Sequence, residues 1–341
     1  MKRTTGMSRR EFFAAGAGLA GGLALGSRGW GRTRPGQIQL TDLSGKSRVI
    51  LVRTDSRADG VKKCLELMDL NPFQGKNVLV KPNLNTSDET PGSTHVDTLR
   101  AILQSAREMG AKALSIGDRS GPEETAQVFE KKGLPALAGS FDAKLLNFDE
   151  LGDKGYSPYD PPASHWKNGF LVARPVVEAG CVVSTCCLKT HQFGGVFSMS
   201  LKNSVGIVPR KGHKFMKQLH GSPNQRRMIA EINTVYKPAL IVLDGLTAFV
   251  DEGPMTGPRK DAGVFLAGTD RVAVDAVGLA ILKDLGSNDA IMKTPIFAQE
   301  QIAWAATLDL GAGSPAAIVI QTPDAASEAY AEKIRRILAA G

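Results

Sequence analysis

The chain has 341 residues, 42% of them hydrophobic, and can bury a sizeable core as about one or two α/β domains. Its formal net charge of +8 is concentrated at the start, because residues 1–32 hold six Lys or Arg and one acid, a net of +5. The other residues therefore net about +3, which is too weakly basic to favour nucleic acid as a partner.

The first 32 residues have the pattern of an export signal. Arg9 and Arg10 stand in the sequence SRREFF, ahead of the weakly apolar run Ala14–Leu25. That run is rich in Gly and Ala and shorter than the roughly 20 apolar residues of a membrane-spanning helix. The pattern predicts a twin-arginine signal and linker over residues 1–32, export by the twin-arginine machinery to the periplasm, and no stable transmembrane span. An uncleaved signal that anchors the chain is the alternative.

Strand and helix patterns alternate along the rest of the chain. This alternation predicts one α/β domain over residues 45–340, with a mostly parallel sheet and helices on both faces. The predicted strands are Val49–Arg53, Asn77–Asn83, Ala113–Gly121, Leu145–Phe148, Val182–Cys187, Ala239–Gly245, Gly263–Gly268 and Ala316–Gln321. The predicted helices are Gly60–Leu70, Thr98–Met109, Glu123–Lys132, Val196–Ile207, Gln225–Tyr236, Val272–Leu285, Ile296–Leu308 and Ala325–Leu338. The proline-containing stretch 152–169 predicts a loop or a small insertion.

Charge is distributed unevenly along this domain. The 52 residues from Ala179 to Ala230 contain eight Lys or Arg and no Asp or Glu. Such a window predicts a site for a small anionic ligand, and Gly194-Gly195 ahead of a predicted helix strengthens it, because helix N-termini bind anions. The alternative is a solvated basic face that pairs with acids elsewhere. The residues predicted to bind the ligand are Lys81, Asn83, Gly194, Gly195, Lys202, Asn203, Arg210 and His220.

Two residues at the end of the predicted strand Val182–Cys187 are candidates for catalysis. His191 can exchange a proton near neutral pH, and Lys189 can hold negative charge and favour neutral His191. Cys186, His191 and Asp244 form a candidate site for zinc or another transition metal, although buried packing of the cysteine is the alternative. The pairing of Cys64, Cys181, Cys186 and Cys187 stays open.

The sequence limits which cofactors can be expected, because several cofactor-binding motifs are missing from the predicted α/β domain. A GxGxxG sequence occurs only at residues 16–21, within the predicted signal, and no GxxxxGK[ST] sequence occurs, so neither a dinucleotide nor a P-loop nucleotide site is indicated in the α/β domain. A self-contained iron–sulfur motif is also missing, because the cysteines lack ferredoxin-like spacing.

Several short motifs occur in one consistent order between Val49 and Leu285. They are KPN (Lys81–Asn83), KTH (Lys189–His191), LKNSVGIVP (Leu201–Pro209), an isolated His220, LDG (Leu243–Gly245), EGPMTGP (Glu252–Pro258) and GTDRVAVDAVG (Gly268–Gly278). Together they resemble the bacterial and archaeal family called domain of unknown function 362. Members are often fused to a ferredoxin-like segment, which this sequence lacks. The family is also distantly similar to the amino-terminal part of nickel-dependent lactate racemases, which implies histidine chemistry beside a basic site for an anionic substrate and cofactor.

Two functional hypotheses follow. The first is an exported enzyme that acts on a small anionic substrate, with a metal or redox cofactor. The second is a non-catalytic protein that binds or matures a cofactor or metal for a partner. The sequence does not choose between them.

Overall fold

The computed structural model describes residues 45–341, and the predicted signal over residues 1–32 lies outside them. The strands are β1 (Ser47–Arg53), β2 (Asn77–Lys81), β3 (Ala113–Asp118), β4 (Ala143–Asn147), β5 (Tyr156–Tyr159), β6 (Phe170–Ala173), β7 (Cys181–His191), β8 (Val196–Phe197), β9 (Leu240–Phe249), β10 (Arg259–Gly268) and β11 (Ile318–Gln321). The helices are α1 (Arg57–Met68), α2 (Val96–Glu108), α3 (Thr125–Lys131), α4 (Leu134–Ser140), α5 (Arg174–Glu178), α6 (Ser200–Asn203), α7 (Phe215–Gly221), α8 (Gln225–Ile232), α9 (Arg271–Asp284), α10 (Asp289–Met292), α11 (Glu300–Thr307) and α12 (Ala325–Ala340).

The central sheet is mostly parallel, as predicted. Its strand order is β11-β1-β10-β9-β7-β2-β3-β4, with the short β8 paired to the end of β7. Strand β10 is antiparallel to both of its neighbours, and the other strands along this order run in one direction. The exception has a simple cause: the short loop 250–258 joins β9 to β10, whereas a parallel crossover needs about a dozen residues or more. The carboxyl ends of β2, β3, β7 and β9 therefore meet at one edge.

Helices cover both faces of the sheet. Successive side chains along a strand point to opposite faces, and the side chains on each face pack in a separate hydrophobic cluster. In β1, Val49 and Leu51 join the cluster that includes α9 and α12, whereas Ile50 and Val52 join the one that includes α1 and α2. Asp270 begins α9 as an N-cap, accepting hydrogen bonds from two backbone N–H groups at 2.8 and 3.0 Å. Within residues 45–341, no helix is both long and apolar enough to cross a membrane.

One predicted helix is wrong over its first turn. Residues Val196–Phe197 form β8, which pairs antiparallel with Thr190 and His191, and the chain turns helical only from Ser200. The reason is that β7 continues through His191 as a buried strand and offers its edge to the returning chain. The stretch 152–169 lies largely between β5 and β6, which form a separate two-stranded sheet, and its Trp166 packs in a hydrophobic cluster with Ile229 of α8.

Candidate functional site

Two adjoining cavities lie at the edge where β2, β3 and β7 end. The inner one has a volume of ≈ 40 Å³ and a mainly polar lining, and the outer one has a volume of ≈ 680 Å³. Residues that line both are Asn85, Arg119, Lys202, Val205 and Pro254. The inner cavity is also lined by Lys81, Asn83, Asp118, Ser198, Asn203 and Gly206. The outer cavity is also lined by Gly121, Pro122, His191, Phe193, Arg210, Met216, His220 and Met255.

The short helix α6 carries Lys202 to the junction of the two cavities. At its start, the Asp275 carboxylate accepts hydrogen bonds from the backbone N–H groups of Ser200 and Leu201 at 2.7 and 2.9 Å. At its end, the Asn203 amide donates to Ser184 Oγ at 3.0 Å, and its oxygen accepts from Lys81 at 3.2 Å. Burial raises the pKa of Asp275 to about 7. Both ends of α6 are therefore anchored, which fixes where Lys202 projects.

No acidic side chain within residues 45–341 pairs with the ammonium group of Lys202. It makes no hydrogen bond and no ion pair within residues 45–341, although it lies where both cavities meet. Burial, followed by the positive charges of Lys189 and Arg119, lowers its pKa to about 7. An anion placed in the cavity would reverse this effect, because an opposite charge favours the protonated form.

Arg119 is a site residue that the sequence analysis missed. Its guanidinium donates to the carbonyl oxygens of Val205 and Val208, each at 2.7 Å, and burial lowers its pKa to about 10. The neighbouring Asp118 forms its ion pair with Lys81, at 2.7 Å, and the charges of Asp118 and Asp149 only partly offset the effect of burial on Arg119. The one available signal was its position directly after Asp118, at the carboxyl end of a predicted strand.

The two histidines of the outer cavity present N–H groups. The backbone N–H of Gly195 donates to His191 Nδ1 at 3.3 Å, which leaves the proton of the neutral ring on Nε2. Burial, Lys202, Lys189 and His220 hold the pKa of His191 far below its ordinary value. The Gln225 amide lies 3.0 Å from His220 Nδ1 and leaves the same tautomer there. An acid/base role for His191 stays a prediction, but the ring offers the cavity a donor and no free basic nitrogen.

The diglycine acts through close packing. The prediction that a helix begins directly after the two glycines is wrong, because β8 follows them and the helix starts only at Ser200. Anion binding by Gly194 and Gly195 stays a prediction. A Cβ atom added at Gly195 would lie 2.8 Å from His191 Nδ1 and 2.9 Å from Lys202 Cε. Gly194 has a φ of +79°, a left-handed conformation that glycine adopts without strain. The pair thus lets His191 and Lys202 approach the same backbone.

Lys189 has a structural role in the site. Its ammonium is fully buried and donates to the Asn83 side-chain oxygen at 2.7 Å and to the carbonyls of Gly92 and Pro254 at 2.6 and 3.0 Å. These three bonds use its three donors, and burial lowers its pKa to about 8. Lys189 therefore ties two loops together beneath the cavity, and it orients Asn83 toward the inner cavity.

Four of the eight Lys and Arg residues between Ala179 and Ala230 form ion pairs with acids from elsewhere in the chain, which is the alternative interpretation of this window. Arg210 lies 2.9 Å from Asp149, so it borders the outer cavity already paired. Arg226 and Arg227 share Glu300 at 2.7 and 2.9 Å. Lys202 differs from these cations because no carboxylate in the described part of the chain pairs with it.

The predicted metal ligands lie apart. Cys186 packs in the hydrophobic cluster around α9, whereas Asp244 accepts hydrogen bonds from Arg57 and Thr98, each at 2.8 Å. His191 borders the outer cavity. Residues 45–341 contain no group of three His, Cys, Asp or Glu side chains that could hold a metal ion. The four cysteines are buried free thiols, and burial raises the pKa of Cys187 to about 11.

Comparisons with known proteins agree with the motifs. The sequence model described as "Domain of unknown function (DUF362)" matches residues 78–280. A thylakoid-associated protein of Synechocystis, sll1697, is 28% identical over 214 residues, which cover 61% of this chain and 64% of that protein. Among solved structures, the lactate racemase apoprotein of Thermoanaerobacterium thermosaccharolyticum aligns over 87% of this chain and 88% of its own, with 15% identity and a TM-score of 0.42.

Proposed function

Because this chain belongs to the family described as domain of unknown function 362, we propose its function from the site itself: it is an enzyme that binds a small organic anion at the inner cavity and acts on it there. The observation that carries this proposal is the uncompensated ammonium of Lys202 at the junction of the two cavities. The Lys202 side chain is half-buried, and a charge that is withdrawn from water is normally paired with an opposite charge. A bound anion would supply the missing partner.

The lining supports an anion in this position. Arg119 brings a second cation that has no direct carboxylate partner within residues 45–341, and the acid that lines the inner cavity, Asp118, is already paired with Lys81. Ser198 is 7% exposed and lines the inner cavity beside Asn83 and Asn85, whose side-chain amides can donate. Convergent donors around one small volume favour an oxyanion.

Lys202 is also the best-placed group for proton transfer. The pKa of Lys202 is about 7 in the free protein and rises when an anion binds, so Lys202 keeps its proton beside the anion and acts as a general acid. The neutral His191 ring would donate a hydrogen bond from Nε2 to a developing negative charge, as an electrophilic group does. This assignment moves the proton-transfer role from His191 to Lys202.

The donor set does not fit the transition metal that the sequence suggested. Cys186 and Asp244 lie away from the cavities, and the thiol of Cys186 is held protonated by burial, which raises its pKa well above the ordinary value. No step of the proposal uses a metal. A redox cofactor stays a prediction.

Export remains part of the proposal. Its support is the SRREFF sequence with Arg9 and Arg10 ahead of a short apolar run. Fractionation of cells that express the chain with both arginines replaced by lysine tests it. The unaltered chain should be found outside the cytoplasm and the doubly substituted chain inside, and equal distribution of the two would contradict export.

Calorimetry and turnover assays together test the proposed function. Titration with carboxylates and phosphates should show binding at one site, and Lys202→Met should abolish most of it. An enzyme should then convert at least one bound anion catalytically, whereas a carrier would hold it stoichiometrically and return it unchanged. Binding that does not depend on Lys202 would contradict the proposal.

A further inference from the structure

We propose that the ligand is an amphipathic organic anion, with an oxyanion head in the inner cavity and an apolar or aromatic body in the outer one. This inference rests on the proposed function, because it takes Lys202 as the partner of the head. It adds the chemical class of the remainder of the ligand, which the charge argument leaves undefined.

The inner cavity admits only a head group. Its volume of ≈ 40 Å³ is about three times the roughly 10–15 Å³ that a cavity needs to hold one water molecule. It therefore has room for one small oxyanion group, such as a carboxylate or a phosphate. Any larger ligand must continue past Lys202 and Arg119, which border both cavities.

The outer cavity is built for an apolar body. Its ≈ 680 Å³ lies within the roughly 300–1,000 Å³ typical of sites that enclose drug-sized ligands. Its apolar walls come from Pro122, Phe193, Val205, Met216 and Met255.

Phe193 points to the same ligand class. Its side chain is 51% exposed, although it lines the outer cavity and meets the His191 ring edge-on at 5.8 Å between centroids. An exposed aromatic ring beside polar groups is common where ligands bind. The methionine side chains of the same lining, Met216 and Met255, can adapt to bodies of different shape. The walls thus favour hydrophobic contact over further hydrogen bonding.

A matched series of ligands tests the inference. Acetate, benzoate and biphenyl-4-carboxylate share one head and differ in body, and phosphate, phenyl phosphate and naphthyl phosphate form a parallel series. Each buried methylene equivalent should raise affinity about fourfold. We therefore expect biphenyl-4-carboxylate to bind at least about tenfold more tightly than acetate. The series that binds more tightly, carboxylates or phosphates, identifies the head group that the inner cavity prefers.

Variants separate the two cavities. Phe193→Ser and Met255→Gln should remove most of the gain from the body and leave acetate binding unchanged, since both side chains line the outer cavity alone. Met292→Gln is the matched control, because Met292 is 41% exposed and lies in α10, outside both linings. Lys202→Met should weaken every anion in both series by the same factor.

Each outcome bears on one of the two claims. Equal affinity for acetate and biphenyl-4-carboxylate, with dependence on Lys202 retained, would overturn the amphipathic ligand and leave the anion site standing. Tight binding of the biphenyl group that ignores both Phe193→Ser and Met255→Gln would also overturn it. If no anion in either series binds through Lys202, the proposed function fails and this inference fails with it.

Discussion

Replacing Lys202 by methionine should make the protein more stable and a poorer anion binder. The methionine keeps most of the aliphatic stem and removes an ammonium that has no partner within residues 45–341. Stability and function are thus expected to change in opposite directions, which a merely structural lysine would not show.

The magnitude follows from the pKa of Lys202, which burial holds at about 7 against an ordinary 10.5. Charged Lys202 costs stability, and at about 1.36 kcal/mol per pKa unit this cost has an upper bound of about 5 kcal/mol. Solvent in the open cavity screens the charge, so we expect a gain of about 1–3 kcal/mol. The cost is fully present below the folded pKa and disappears as pH rises toward the unfolded value. The gain should therefore be largest at or below pH 7.

The assay compares unfolding and binding in one preparation. Denaturant titration at about pH 6.5 should show the gain in stability, and calorimetry should show an anion affinity lower by on the order of a hundredfold. Lys293→Met is the matched control, since Lys293 pairs with Asp289 on an exposed helix. A less stable Lys202→Met protein that keeps its affinity would refute the reasoning.

Three further predictions concern neighbouring groups. Affinity for sulfate or acetate should be constant below about pH 6 and fall about tenfold per pH unit well above 7, because Lys202 loses its proton, and calorimetry across pH 6–9 should find no such fall in Lys202→Met. Gly195→Ala should cost about 1–3 kcal/mol of unfolding free energy and weaken binding, whereas Gly139→Ala, with no atom within 4 Å of the added Cβ, should leave binding unchanged. Lys189→Met should lower unfolding free energy by about 3 kcal/mol or more, because three buried acceptors lose their donor, and an unchanged denaturation midpoint would contradict that role.

The strand patterns in the sequence predicted much of the fold. The runs NVLVKPN and VVSTCC predicted buried strands of a parallel sheet, and the structure has β2 (Asn77–Lys81) and β7 (Cys181–His191) at these places. β10 runs antiparallel to its neighbours because loop 250–258 is short. The length of this loop is present in the sequence, but strand patterns alone do not show the direction of a strand. The continuation of β7 to His191 was missed, because its polar residues are buried by partners from distant loops.

The sequence could not show which cations of the site are paired with acids. Lys202 and Arg210 look alike in a window without acids, yet Asp149 neutralises Arg210 across 61 residues of chain and nothing in residues 45–341 neutralises Lys202. Lys189 looked equally available, but its three donors are taken by Asn83 and two loop carbonyls. Which cation is free depends on tertiary contacts, so composition could indicate an anion site without identifying its centre.

Titration of Lys202 itself tests the central claim most directly. Lysine labelled with carbon-13 at Cε, assigned by comparison with Lys202→Met, reports its protonation by NMR with and without a saturating carboxylate. We predict a pKa of about 7 in the free protein and a clear rise when the anion is bound. A pKa near 10.5 that the anion does not change would contradict the account.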